Sequence, residues 1–423
     1  MKEDFLHYVW KFQKFNTRNL FTSGGELIQI ITPGQHNYNS GPDFFSAQIR
    51  VAEQLWAGNV EIHLKSSDWY THNHEQDSAY DNVILHVVWE HDSEIFRKDN
   101  SVIPTMEIKE IVKKDTLENY RKLFSKKNNW INCENKFSSI DSFLLANWLE
   151  RLYFERLEDK AKLILIELNE SKNHWDSVLF RLLAKNFGLK VNGDSFFSLA
   201  KSLKFSVIKK CSQNQFSLEA LFFGQAGFFS DTKENAYFDM LANEYKYLKH
   251  KFNLNNSAVV FSKFFRLRPP NFPTIRLSQL AVLYSEKQNL FSEIISANSI
   301  EELYKIFDIS ASDYWDTHYN FGVSSPKRKK KLSTNFIDLL IINTVIPLKF
   351  CYSKKVGKDI SDELLEMASC LQKEENTIIK KFNEIAPVAE NAIQSQALIQ
   401  LKNEYCTQFR CLECAVGNSI LKG

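Results

Sequence analysis

Two alternating segments joined by a short turn, followed by a run that barely alternates, constrain this chain more than any other feature. Residues 44–51, and 59–65 within a strand over 55–65, alternate apolar and polar side chains with the two-residue period of a β-strand. Residues 83–89 (VILHVVW) form a nearly continuous apolar strand. In the second segment Val60, Ile62 and Leu64 share one face, and Glu61, His63 and Lys65 share the other. A strand carries such a polar set in register only where that face meets water, a metal or a substrate. The turn Gly41-Pro42-Asp43 leads into the first segment, and a histidine-rich connection follows the second. Residues 41–92 are therefore the candidate functional stretch.

Around this stretch the chain reads in order as an amphipathic helix over 3–16, a strand over 26–31, a polar loop over 35–40 and the strands 44–51 and 55–65. A loop over 66–82 follows, with a short helix that Ser67 or Asp68 caps. Then come the strand 83–89 and a hairpin over 95–108 turning at Asp99-Asn100. After residue 109 the texture becomes helical. Leu144, Leu145, Trp148, Leu149, Leu152, Tyr153 and Leu157 follow helical spacing within 142–169. Further helices are expected at 175–187, 195–203, 218–224, 235–251, 277–286, 292–297, 300–307, 335–345, 359–372, 375–385 and 392–405. The expected class is α+β: a mixed-sheet domain over 1–115, a charged linker within 113–129, and an all-helical domain over 130–423 ending in a cysteine cluster.

With 44% apolar and 25% charged residues, the chain has the composition of an ordinary soluble globular protein. A net charge of +2 makes no case by itself for a nucleic-acid partner. The first residues, MKEDFLHYVW, lack the apolar core of a signal peptide. Asp338, Asn343 and Pro347 interrupt the most apolar late segment, so no membrane span and a cytoplasmic location are expected. In that setting the seven cysteines read as reduced thiols or metal ligands.

The order helix, three strands, short helix, strand, with Pro42-Asp43 ahead of one strand and Glu61-x-His63-x-Lys65 in the next, resembles the PD-(D/E)xK nuclease superfamily. The resemblance implies a PD-(D/E)xK-like mixed-sheet fold in which Asp43 and Glu61 bind Mg or Mn. His63 and Lys65 would assist the attacking water or the phosphate, and Glu26 is a further candidate carboxylate. The chain departs from the pattern at His63, which stands at the lysine position, with Lys65 one step along the same face. Six of the ten histidines fall between residues 36 and 91: His36, His63, His72, His74, His86 and His91. His72 and His74, near Asp77, are placed to reach His63. A zinc- or manganese-dependent hydrolase of another substrate is the competing chemistry. A third reading is a non-catalytic nucleic-acid-binding scaffold on a degenerate nuclease fold. His86 and His91 read as ordinary strand and surface residues.

The C-terminus carries Cys406-x4-Cys411-x2-Cys414, then Gly417. Such spacing suits Zn or an iron–sulfur cluster, and it also suits buried free thiols at helical spacing. Cys133 is the favoured fourth ligand, with Cys351 and Cys370 as alternatives and Cys211 the least motivated. The arrangement is similar to that of some CRISPR-associated and recombination nucleases, with different spacing. Arg266, Arg268 and Arg276 lie among aromatics and prolines, where they can contact a DNA or RNA substrate or anchor an interdomain loop. Residues 327–331 (KRKKK) read as a solvated loop able to touch phosphate. Taken whole, the chain resembles an uncharacterised family of Bacteroidetes proteins known as a domain of unknown function. The phrases that carry this are GPDF at 41–44, GxVEIH at 58–63, SDW at 67–69, LHVV at 85–88, GQAG at 224–227, RPxNFP at 268–273 and the terminal cysteines.

Overall fold

A computed structural model of the chain describes residues 1–125, 129–230 and 234–422. Two compact units are present: Met1–Trp148 together with Leu401–Gly423, and Leu149–Gln400. These divisions differ from the sequence boundaries 1–115 and 130–423. Much of the expected charged linker is a helix, Lys114–Leu123, and residues 126–128 of it lie outside the described residues.

The first unit opens with helix α1 (Glu3–Lys11), whose first turn carries Glu3 and Asp4 and whose last carries Lys11, the distribution that complements the helix dipole. It buries Phe5, Leu6, Val9 and Trp10. The helix stops short of the expected residue 16 because Gln13 takes a left-handed backbone (φ 47°) that ends the helical path. Strands β1 (Leu20–Phe21), β2 (Leu27–Thr32), β3 (Gln35–His36), β4 (Phe44–Val51), β5 (Gln54–Lys65), β6 (Val83–Glu90) and β7 (Thr105–Glu107) follow. They form one mixed sheet in the order β1-β2-β4-β5-β6-β7, with β3 also paired to β4. The β4–β5 pair is an antiparallel hairpin closing at Val51↔Gln54, whereas β5–β6 and β6–β7 are parallel. The expected hairpin over 95–108 contracts to a Phe96↔Val102 bridge before β7 joins the sheet edge.

Parallel neighbours cannot be joined by a tight turn. The chain between β5 and β6 therefore crosses the sheet through helix α2 (Asp68–Thr71) and two 3-10 turns, His74–Gln76 and Ser78–Tyr80. Trp69, 1% exposed, and Tyr80 pin this crossover to Val83, Ile95 and Ile103. The polar face of β5 is thereby covered: Glu61 and His63 are as buried as Val60 and Ile62 on the opposite face.

The second unit is built mainly of helices packed around aromatic contacts such as Phe180–Phe222 and Phe223–Trp315. Thr334–Lys355 is the one described helix long and apolar enough to cross a membrane. Its apolar window is 83% buried inside the fold, as in the core helix of a soluble protein.

Gly58 sits where β5 begins to pair with β6 as well as β4. A Cβ there would meet Ile84 Cγ2 and lie 2.6 Å from the Asn82 carbonyl oxygen. Gly58→Ala is expected to lower the unfolding free energy by about 1–3 kcal/mol, the usual cost of overpacking. Denaturant titration measures this, and an unchanged midpoint would mean that residues 82–84 shift freely.

Candidate metal centre

Asp43 is delivered by a tightly tied loop. Gly41 adopts a left-handed φ of 97°, and the Asn37 side-chain amide donates to the carbonyls of Asn39, Ser40 and Pro42 at 3.0–3.1 Å. β4 begins one residue later, with Phe44 opposite Val60. The backbone N–H of Ile62 therefore has no strand partner on that side. The Asp43 carboxylate takes its place, accepting from Ile62 N at 2.9 Å, while Asp43 N–H donates to Glu61 Oε2 at 3.1 Å. These reciprocal bonds hold the two carboxylates side by side.

Three elements close on this pair. From α1, His7 Nε2 lies 3.3 Å from Asp43 Oδ2. From β5, His63 Nε2 lies 3.6 Å from Glu61 Oε1 and 3.0 Å from His72 Nδ1. From the crossover, His74 Nε2 lies 3.3 Å from the same Glu61 oxygen. Asn73, left-handed at φ 59°, turns the chain between His72 and His74. Tyr80 stacks on His74 with ring centroids 3.8 Å apart. The other ring nitrogen of His63 is 2.8 Å from Nε2 of the fully buried His86.

The electrostatics describe a cavity short of positive charge. Burial, and then the charge of Asp43, raise the Glu61 pKa far above the ordinary carboxylate range. Burial, helped by His74, His72 and His7, pushes His63 down to about 3. Burial likewise lowers His74 and His86. Burial opposes charge on His7, but the hydrogen bond and charge of Asp43 outweigh it and raise its pKa. Imidazoles gathered beside two carboxylates are a set that could hold a metal. Among the described residues, the ligand atoms of His63, His72 and His74 all lie within 4.8 Å of one another. A tetrahedral site with bonds of about 2.0–2.1 Å has edges of about 3.3 Å. The separations of 3.0, 3.3 and 3.6 Å among Glu61, His63, His72 and His74 bracket that value. His74 Nε2 is buried and forms no hydrogen bond. His86 occupies the position of an outer partner that orients a ligating imidazole.

The sequence candidates are thus placed as follows. Asp43, Glu61 and His63 come together. Lys65, at the solvent end of β5, instead lies 3.9 Å from Asp92, with its side chain 56% exposed. Glu26 sits just before β2 and lines a separate hollow with Thr22, Gln54 and Thr105. Arg276 is buried, with its guanidinium 3.5 Å from the Phe336 ring centroid and bonded to Gln279 and Asn271. Its position between apolar helices makes it an internal anchor, whereas Arg266 and Arg268 are exposed. Cys133, Cys406, Cys411 and Cys414 line one small pocket of the first unit with Asn132 and Gly417. Burial, then Cys414 and Cys411, push the Cys133 thiol up to about 12. His7 and His86 were not assigned to the site from sequence. The available signals were Glu3 and His7 four apart on one helix face, and one imidazole inside an otherwise apolar strand.

Because folding holds His63 neutral, the unfolded chain takes up a proton below pH 6.5 that the folded chain refuses until about pH 3. His63 therefore contributes stability above 6.5 that is lost on acidification through this window. Metal-free protein should lose about 1.4 kcal/mol more per pH unit than its His63→Gln variant across it. Denaturation at several pH values, with chelator present, checks this; parallel curves would contradict the burial argument.

No curated protein and no solved structure matches the chain. The family that does match covers residues 3–377, a span holding all the carboxylates and histidines described and Cys133, and ending before the three C-terminal cysteines. The chain belongs to the DUF2851 family, described as proteins of unknown function.

Proposed function

We propose that the first unit is a metal-dependent phosphodiester hydrolase of nuclease-like build. The observation that carries this reading is the reciprocal bonding of Asp43 and Glu61 across the β4–β5 edge, with His63 on the same strand face. Asp43 and Glu61 hold the cation from the sheet side, and His63, His72 and His74 hold it from the crossover side. A bound cation polarises a phosphoryl oxygen and lowers the pKa of a water molecule. Glu61 and Asp43 orient that water against the phosphate, and His7 closes the site from α1. Imidazole nitrogens favour Mn or Zn over Mg, which prefers oxygen ligands. The same triad favours, as a second reading, a zinc-type hydrolase of a non-nucleic substrate.

Nucleic acid as substrate draws support from the second unit. There Arg266 and Arg268 are exposed beside Phe261 and Phe265, 72% and 77% exposed, and the Arg266 guanidinium lies 5.1 Å from the Phe265 ring centroid. Exposed aromatics beside arginines stack bases and pair with phosphates. Seven free thiols fit a reducing, cytoplasmic setting.

The test is cleavage of labelled DNA and RNA by metal-stripped protein reloaded with Mg, Mn or Zn. Cleavage is expected with Mn or Zn, falling by about a hundredfold or more in Glu61→Gln and Asp43→Asn while both variants stay folded. Equal cleavage by parent and variants would assign the activity elsewhere. Binding without cleavage under every metal would favour a scaffold, and hydrolysis of non-nucleic esters alone would favour the second reading.

A further inference from the structure

We propose that Cys133, Cys406, Cys411 and Cys414 ligate one [4Fe–4S] cluster that staples the C-terminal segment to the chain following β7. All four thiols face the same pocket, and none is in a disulfide. Every pair among them is close enough to interact electrostatically. The remaining lining is Asn132, Leu401, Tyr405, Val416 and Gly417. With so few polar groups besides the sulfurs, the pocket is a poor home for ordered water.

Thiolates favour two closed centres, a single Zn and an iron–sulfur cluster. Hydrogen bonds to sulfur and exclusion of solvent are what tune a cluster, and this pocket combines amide donors with a mostly apolar lining.

The polypeptide around the sulfurs is arranged for thiolates. The backbone N–H groups of Val416 and Gly417 donate to Cys414 sulfur, and the Asn132 side-chain amide donates to Cys411 Sγ at 3.6 Å. Amide donors aimed at sulfur stabilise ligating thiolates and tune clusters. A Cβ at Gly417 would collide with the Cys411 carbonyl, so glycine permits the close turn that presents Cys411 and Cys414 together. On ligation each thiol gives its proton to solvent, and the cluster closes with four protein ligands and no open iron. Its role is therefore structural. This inference does not rest on the proposed hydrolase activity.

The experiment is iron, zinc and acid-labile sulfide analysis of the full chain purified without oxygen, with visible absorption and electron paramagnetic resonance after reduction. About four iron and four sulfide per chain are expected, with a broad visible band. Cys411→Ser should lose iron and show a lower melting temperature. Cys351→Ser, a buried cysteine outside the pocket, and Glu61→Gln, in the carboxylate–histidine centre, should both retain it. Should Cys411→Ser fail to fold, analysis of the parent protein still decides. One zinc without sulfide, iron without sulfide, no metal, or iron lost in Glu61→Gln would each overturn the cluster.

Discussion

The backbone N–H of Ile62 has no strand partner, and the Asp43 carboxylate fills that vacancy. An unpaired N–H buried this deeply would cost on the order of 1–3 kcal/mol. The loop 37–43 is organised to prevent it. Once Asp43 is fixed there, its own N–H engages Glu61, and two carboxylates are committed to one buried corner. Everything else in the centre answers the electrostatic cost of that commitment. Neutral imidazoles surround the pair, and one histidine from α1 meets Asp43 directly.

A sheet edge alone would leave these groups in water. The parallel β5–β6 connection changes that, because its crossover must pass over the sheet face. Trp69 and Tyr80 seat the crossover in the apolar core, and His72 and His74 are carried onto His63 as a consequence of that packing. Burial then strengthens every interaction among the charged and polar groups by lowering the local dielectric. The same burial depresses the pKa values of His63, His74 and His86.

The thiol pocket solves a different problem. The last helix, Ala415–Lys422, is too short to hold itself in place, yet Val416 and Leu421 are fully buried. Its packing is continuous with the turn that presents Cys411 and Cys414, and Cys133 arrives from a distant part of the sequence. Cys406 ends a stretch of π-helix, Leu401–Cys406, whose wider turn alters the direction of the residues at its end. The irregular helix and the close approach of Gly417 to the Cys411 carbonyl both adjoin the converging thiols.

Strands β4, β5 and β6 and the helical remainder were legible in the sequence because alternation, apolar runs and helical spacing are local properties of the chain. So were Asp43 and Glu61, which flank a recognisable turn and share a short segment. Lys65 lies on the same strand face by periodicity, but burial ends before it and its ammonium turns to Asp92. Periodicity says which side a residue takes and not how far the covering elements extend. His7 and His86 became partners of the centre only through the packing of α1 and the neighbouring strand. Arg276 became an internal anchor only because the Phe336 ring, Gln279 and Asn271 enclose its guanidinium. Cys133 was the favoured partner of the three C-terminal cysteines in the sequence, and the tertiary structure brings the four thiols to one pocket. Each depends on which distant segments share a core, and that is decided by sheet order and burial rather than by any pattern within a segment.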